Sequence, residues 1–205
     1  SMDGAVKYVK GDATAGLIIT GVNVVGGSFE MTGGTITGNE AGHGGGIYVA
    51  SDAQTIITNG IIENNHTTAS GAGVQVDGSF TMNGGTIKNN SANNDGGGLS
   101  VNGTTKLIGT AKIINNTAHS NYQGGGVNYY GGSLTLGGSV QITGNVVGGT
   151  IKDGTLTGGT VNNVCLYNGH NYITLGSNDD APMDGMLVGV TKAISAGGAV
   201  QQIVR

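Results

Sequence analysis

Short runs of alternating apolar and polar residues recur along this chain at intervals of about 26 residues. The stretch 27–39 reads GSFEMTGGTITGN and returns, nearly unchanged, as GSFTMNGGTIKNN at 78–90. Each is followed by a glycine triplet and an apolar–polar–apolar run, GGGIYV at 44–49 and GGGLSV at 96–101. Weaker copies lie between them and continue to residue 145. The pattern predicts a repeat protein whose unit is one such segment.

Three apolar columns appear when the copies are aligned. The first column is Met31, Ile57, Met82, Leu107 and Leu136. The second column is Ile36, Ile62, Ile87, Ile113 and Ile142. The third column is Ile47, Val74, Leu99, Val127 and Val164. Beside the third column, the alternation of strand side chains predicts that the next residues point outward: Tyr48, Gln75, Ser100, Asn128 and Cys165.

These columns predict an all-β fold, a single-stranded parallel β-helix (β-solenoid) in which each repeat forms one coil. Three short strands per coil would pair, in parallel and in register, with their equivalents about 4.8 Å away. About seven or eight coils would use up the chain, and the preference of parallel crossovers makes the helix right-handed. A polar column predicts a ladder of side-chain amides at one corner: Asn39, Asn65, Asn90, Asn116 and Asn145.

We expect residues 1–205 to form a single β-helix domain that belongs to a larger protein. Residues 1–26 would form an opening coil or cap, and 27–145 the regular coils. Extra residues then interrupt the repeat, so 146–160 is expected to be an insertion that forms a flap or small hairpin. Residues 161–205 would supply the final coils and a second cap, because open ends of a solenoid expose strand edges.

Composition agrees with a β-solenoid and excludes several other classes. The chain has 43 glycines and one proline; glycine disfavours helices, and its irregular spacing excludes collagen. The formal net charge is −4, so the chain has no basic surface for nucleic acid. No apolar run is long enough to insert into a membrane. The single cysteine cannot form an internal disulfide.

The sequence assembles no catalytic or metal-binding constellation. Hydrolysis of a polysaccharide needs two carboxylates that face one bond, and Asp52 and Asp77, near one corner on adjacent coils, come closest to such a pair. The four histidines stand at unrelated positions in their coils, which does not suit a zinc site. We therefore predict a protein that is not an enzyme and that binds no metal or other cofactor; the alternative left open is calcium at a loop such as 93–95.

Variable polar segments lie between each asparagine corner and the next glycine triplet, at 40–43, 66–70, 91–95 and 117–123. Stacking of the coils would bring these segments to one edge. Amides, a carboxylate and aromatic groups in a shallow strip are typical components of a sugar-binding surface. The alternative is that the segments are solvated loops of a scaffold. The candidate ligand-binding residues are His43, Asn94, Asp95, His119 and Tyr122.

One set of motifs resembles a known family of bacterial repeat regions. It consists of F-x-M-x-G-G-T-I-x-x-N at 29–39 and 80–90, the runs GGG-[IL]-x-V, and VNNVCLYNGHNYITLG at 161–176. The family occurs in large cell-surface and adhesin-like proteins, especially of gut Gram-positive bacteria. The repeats of chlamydial polymorphic outer-membrane proteins are more distantly similar. The resemblance covers about residues 16–176 and implies a right-handed parallel β-helix.

The resemblance also implies a function. It indicates a secreted, non-catalytic module at the bacterial cell surface, either an adhesin-like stalk or a binding face. The expected partners are a host or dietary glycan or a host or bacterial surface protein, with no nucleic acid, no membrane insertion and a monomeric state. The alternative is a polysaccharide-active (hydrolase-like or lyase-like) or carbohydrate-binding β-helix that uses the edge at Asp52 and Asp77 or the insertion at 146–160.

Overall fold

The computed structural model describes residues 18–19, 21–119, 121–167, 172–192 and 201–203. Apart from a 3₁₀ turn at Asn178–Asp180, the regular elements in these ranges are β-strands, numbered β1–β28 along the chain. Most strands pair in parallel with strands one coil away, which confirms the predicted β-solenoid. The described residues form six rungs, against the seven or eight coils expected for the whole chain.

Three ladders of short strands form the walls of the solenoid. The first wall comprises β1 (Ile18–Ile19), β4 (Thr35–Thr37), β8 (Ile61–Glu63), β12 (Thr86–Lys88), β16 (Lys112–Ile114) and β20 (Gln141–Thr143). The second comprises β2 (Val22–Val24), β6 (Ile47–Val49), β10 (Val74–Val76), β14 (Leu99–Val101), β18 (Val127–Tyr129) and β25 (Val164–Leu166). The third comprises β3 (Gly27–Met31), β7 (Ala53–Ile57), β11 (Ser79–Met82), β15 (Thr104–Leu107), β19 (Ser133–Leu136) and β26 (Ile173–Leu175).

A ladder of two-residue strands, which the sequence analysis did not predict, turns the corner between the first and second walls. It comprises β5 (Glu40–Ala41), β9 (His66–Thr67), β13 (Ser91–Ala92), β17 (Thr117–Ala118), β21 (Val146–Val147) and β24 (Thr160–Val161). The last of these pairs antiparallel with β21, whereas the others are parallel. Each regular coil therefore has the three predicted wall strands and one short corner strand.

The predicted apolar columns are in register and fill the interior. On the first wall, Ile36 pairs with Ile62, Ile62 with Ile87, Ile87 with Ile113 and Ile113 with Ile142. The members of all three columns are at most 2 % exposed. Full burial of one such side chain contributes about 1.5–3 kcal/mol, so the columns are the main source of stability in the coils.

A further buried column, on the third wall, alternates large and small side chains. Phe29 pairs with Thr55, Thr55 with Phe80, and Phe80 with Thr105. Phenyl rings on adjacent rungs, about 4.8 Å apart, would compete for the same narrow interior, and a threonine beside each ring leaves room for it. The alternation explains why the two most similar sequence segments are two coils apart rather than one.

The asparagine ladder is present and hydrogen-bonded along the axis. At each step the side-chain amide of one asparagine donates to Oδ1 of the next, over 2.7–3.1 Å. The same Oδ1 also accepts the backbone N–H of the preceding asparagine. Since buried polar groups stabilise a fold only when they are paired, these two hydrogen bonds per step make the polar corner compatible with the core. The members are Asn39, Asn65, Asn90, Asn116, Asn145 and, beyond the prediction, Asn163.

The residue before each ladder asparagine has the left-handed backbone that turns this corner. Its φ lies between +53° and +69° in the five regular coils. Glycine adopts this conformation without steric cost, and asparagine more readily than other residues with a side chain. This requirement explains the Gly-Asn and Asn-Asn pairs of the repeat. The residues are Gly38, Asn64, Asn89, Asn115 and Gly144.

The insertion at 146–160 contains an antiparallel hairpin of β22 (Thr150–Lys152) and β23 (Thr155–Thr157). Its tip folds back along the asparagine corner, where the carbonyl of Gly154 accepts the side-chain amide of Asn89 at 2.9 Å. At the other end of the described chain, β27 (Leu187–Lys192) pairs with both β20 and β25 and thereby joins the first and second walls. The last strand, β28 (Gln201–Ile203), pairs antiparallel with β27. Much of the predicted opening cap (1–17 and 20) and part of the final one lie outside the described residues.

The alternating column provides a test of the packing. The hydroxyl of Thr55 is fully buried and has no hydrogen-bond partner among the described residues. Valine has the same shape without the polar group, so we expect Thr55→Val to raise the free energy of unfolding in urea by about 1 kcal/mol. The matched control is Thr67→Val, because the hydroxyl of Thr67 donates to the carbonyl of Gly42 at 2.8 Å and its loss should lower stability. Equal effects of the two substitutions would contradict the packing described for this column.

Candidate functional site

Of the five side chains predicted to point outward from the second wall, four are buried and Tyr48 is half-buried. Gln75 and Ser100 are 4 % exposed, Asn128 2 % and Cys165 0 %. The predicted alternation is correct, because the apolar residues that flank each of these side chains belong to the core. The exception is Leu166, which is only partly buried. The polar segments before the glycine triplets cover this wall, as the close approach of Gly71 and Gly124 to the strand backbone and the contact of Gln123 with Cys165 show.

The first glycine of each triplet makes this cover possible. Gly71 and Gly124 have φ values of +70° and +63°. A Cβ on Gly71 would lie 2.8 Å from Cα of Gln75, and one on Gly124 would lie 2.6 Å from the backbone N of Asn128. Real Cβ atoms do not approach backbone so closely, so only glycine allows the chain to pass directly over the outer side of the strand.

Asp77 lies at the rim of this covered face and is held by three side chains. Tyr48 donates its hydroxyl to Oδ2 at 2.7 Å, while the amides of Gln75 and Asn102 donate to Oδ1 at 3.0 and 2.9 Å. Burial raises the pKa of Asp77, but the hydrogen bonds from Asn102, Tyr48 and Gln75, with the nearby charge of His43, outweigh it and bring the pKa below its ordinary value. The Asp77 carboxylate is therefore an ionised acceptor in a fixed position.

The five candidate residues from the sequence lie in the segments that cover the second wall. His119 and Tyr122 contact each other edge to face, with ring centroids 5.9 Å apart. Asp95 lies against the same segment, because its Oδ1 accepts the backbone N–H of Gln123 at 2.7 Å. Asn94 precedes Asp95, and its backbone N–H donates to the carbonyl of Ala69 on the previous coil. These four are therefore close along the edge.

His43 stands apart from the other four. It lies two rungs from Asp95 and is exposed. Its charge acts on Asp77, which the sequence analysis had considered only as a possible partner of Asp52. The structure therefore divides the predicted edge into a part near Asp77 and a part near His119 and Tyr122.

Polar groups in the second part hold the cover in place. Burial raises the pKa of Asp95, and the hydrogen bond from the backbone of Gln123 offsets this only in part. The side-chain carbonyl of Gln123 accepts the amide of Asn162 at 3.1 Å and the thiol of Cys165 at 3.7 Å. Cys165 is fully buried beneath this contact. Asp95 and Gln123 thus both make internal contacts.

An open groove of about 500 Å³ follows the corner between the second and third walls. Asp52 and Asp77, the two acids that the sequence analysis compared with a catalytic pair, both line it. Asp77 is ionised and held as described, so it does not sit in the apolar pocket that keeps a catalytic acid protonated. Asp52 is exposed to solvent. The hairpin of the insertion does not line this groove.

Two stacked tyrosines at the same corner were missed by the sequence analysis. Tyr130 and Tyr167 are 50 % and 41 % exposed, and their ring centroids lie 4.6 Å apart with the planes inclined by 36°. Each tyrosine directly follows a second-wall strand. Asp77 and Asn102 have the same position on the two rungs before them. The sequence does contain this signal, as a column of Asp, Asn, Tyr and Tyr one coil apart, but the search was confined to the segments before the glycine triplets.

The remaining features suggest no chemistry of their own. A cavity of about 380 Å³ near the C-terminal end is lined mainly by apolar side chains such as Leu136, Met186 and Val190, which continue the core columns. Among the described residues, no three His, Cys, Asp or Glu side chains converge as a metal ion requires. The described part of the chain also contains no apolar helix of membrane-spanning length.

Asp95 gives this region a testable pH dependence. Its pKa is raised in the folded protein, so the folded state binds this proton more tightly than the unfolded chain and stability falls as the pH rises past the ordinary carboxyl range. Asp95→Asn keeps an acceptor for Gln123 without the charge. We expect it to raise the melting temperature at pH 7 by about 1–3 °C, since the carboxyl is partly screened by water, and to have no such effect at about pH 3.

The control for this experiment is Asp95→Ala. Alanine removes both the charge and the acceptor for the Gln123 backbone N–H. This variant should therefore not show the higher melting temperature at pH 7. If Asp95→Asn stabilises the protein equally at about pH 3, below the ordinary carboxyl pKa, the raised pKa of Asp95 is not the cause of the effect.

Two comparisons with known proteins match a small part of the chain. The model of the FHIPEP family matches residues 1–49. A segment of 27 residues is 70 % identical to the flagellar biosynthesis protein FlhA of Caulobacter vibrioides, which corresponds to 13 % of this chain and 4 % of that protein. No solved structure is significantly similar to this chain. Neither match reaches half of the chain, and residues 1–17 precede the described coils, so the similarity does not assign the β-solenoid to a family.

Proposed function

We propose that this chain is a non-catalytic, extracellular module of a bacterial surface protein, a rigid β-solenoid that serves as an adhesin-like stalk and binding face. The observation that carries the proposal is the continuous in-register stacking of core columns and asparagine ladder through the described rungs. Such a rod holds its lateral faces in fixed positions, as repeat proteins with extended binding surfaces do. The partners would be a glycan or a host or bacterial surface protein, and the module would act as a monomer.

The placement of the acids supports a non-catalytic role. Glu63 forms an ion pair with Lys88 at 3.2 Å, and Asp180 forms another with Lys106. Asp95 is engaged with the backbone of Gln123. These three carboxylates are therefore accounted for by structural contacts. The similarity to FlhA does not contribute to the proposal, because it covers 13 % of the chain.

A second candidate function is the processing of a polysaccharide, and the groove that contains both Asp52 and Asp77 favours it. Glycosidases place two carboxyl groups about 5–9.5 Å apart and keep one of them protonated. Asp77 does not suit the role of proton donor, because its pKa is below the ordinary value. We therefore rank this candidate second.

The two candidates are distinguished by incubating the protein with pectin, alginate and mucin and measuring both retention and release of reducing ends. The stalk-and-binding proposal predicts no release above that of a heat-denatured sample, whatever is retained. Asp52→Asn and Asp77→Asn should leave this background unchanged. Release of reducing ends by the native protein that disappears in Asp77→Asn would overturn the non-catalytic assignment.

A further inference from the structure

We propose that the corner strip, defined as Asp77, Asn102, Tyr130 and Tyr167, binds a neutral oligosaccharide laid along the axis of the solenoid. This inference rests on the proposed function, since it assigns the binding face and the ligand class of the surface module. The four residues stand on consecutive rungs, because the backbone N–H of each donates to a carbonyl one coil back over 2.8–3.1 Å. The strip is therefore straight and has the rung spacing of about 4.8 Å.

The aromatic end of the strip has the form of a stacking platform. Tyr130 and Tyr167 expose about half of their surface while their rings support each other at 4.6 Å. Tyrosine offers a rigid apolar face and a polar tip, and it is therefore favoured where one side of a ligand is apolar and the other is hydrated. A pyranose ring has this character, because its C–H groups form an apolar face and its hydroxyls lie around the rim.

The polar end of the strip offers acceptors for those hydroxyls. A carboxylate has about four lone-pair sites, and Tyr48, Gln75 and Asn102 occupy three of those on Asp77. Asn102 is exposed and uses its amide nitrogen for Asp77, and its carbonyl oxygen accepts no hydrogen bond from the described residues. An ionised acceptor held in position beside a neutral one is suited to adjacent hydroxyl donors.

Two buried amide oxygens lie next to the strip. Oε1 of Gln75 and Oδ1 of Asn128 have no hydrogen-bond partner among the described residues, although the side chains are only 4 % and 2 % exposed. Gln75 stands two residues before Asp77, and Asn128 stands two before Tyr130, on the outward side of the same wall. Native proteins rarely leave such groups unpaired. Because these oxygens lie beneath the cover, a buried water molecule rather than a sugar hydroxyl is suited to supply their donors.

Charge and spacing specify the class of glycan. The ionised Asp77 and the formal net charge of −4 disfavour uronic-acid, sialylated or sulfated chains. The rung spacing is similar to the length of one hexose residue in an extended chain, so successive sugars can lie on successive rungs. A neutral, extended hexose oligomer therefore fits the strip better than an acidic polymer. A peptide is less suited, because the backbone groups of the wall strands that flank the strip are already paired with neighbouring coils.

The test measures binding of the whole chain to an array that carries β-glucan, galactan and mannan oligosaccharides together with pectin, alginate and sialylated glycans. Calorimetry with the neutral oligosaccharide that binds best then gives the dissociation constant. We expect Tyr130→Ala and Tyr167→Ala to weaken binding about tenfold, as removal of an anchoring aromatic side chain does. Tyr130→Phe is the matched control and should bind nearly as well as the native protein, because it keeps the ring. Circular dichroism and melting temperature verify that each variant is folded.

Tyr122→Ala tests the competing location among the segments that cover the second wall. If this variant loses binding while Tyr130→Ala and Tyr167→Ala bind fully, the glycan binds at that edge. This result would overturn the proposal for the strip but leave glycan binding as the function. Binding of acidic glycans alone, or of no glycan on the array, would also overturn the proposal for the strip. Release of reducing ends would instead overturn the non-catalytic function, so the two failures are distinguishable.

Discussion

In-register stacking is the constraint on which the rest of the molecule depends. Each coil lies on the previous one with equivalent residues paired, so one residue type recurs at one place in the cross-section. Apolar columns then fill the interior, and the asparagine ladder closes one corner with hydrogen bonds that run along the axis. A shift of one residue in any coil would turn its core side chains outward and separate its asparagine from the ladder.

The same constraint builds the outer surface. Residues that follow the second-wall strands must line up, which is why Asp77, Asn102, Tyr130 and Tyr167 form a strip although they are far apart in the sequence. The register does not fix what each rung carries there, and so the strip can vary in chemistry without cost to the core. Repeat scaffolds separate stability from recognition in this way.

Much of the fold could be predicted from the sequence, because the interior is narrow and each position is chosen by one dominant requirement. Isoleucine recurs at 36, 62 and 87 since only an apolar residue fits there, and asparagine recurs at the corner because two hydrogen bonds per step require it. The alternation of phenylalanine and threonine on the third wall was not recognised, because it depends on packing between coils rather than on polarity.

The surface was predicted less well, for a physical reason. Pattern alone shows that Gln75 and Asn128 point away from the core, but not that the chain before a glycine triplet folds back over them; that depends on backbone conformation at Gly71 and Gly124. The candidate residues therefore came from polar segments, and several of these segments cover the second wall. The exposed tyrosine pair stands instead on the part of the corner that this cover leaves open.

The most direct test of the stacking account is the deletion of one full coil, residues 66–90, which joins Asn65 to Ser91 and leaves every column in register. The account predicts a folded, cooperatively unfolding protein whose length, measured by small-angle X-ray scattering, is shorter by about one rung of 4.8 Å. Deletion of 66–78 alone, which breaks the register, should abolish folding of the coils. If the full-coil deletion unfolds, or if both deletions behave alike, stacking in register is not what holds this protein together.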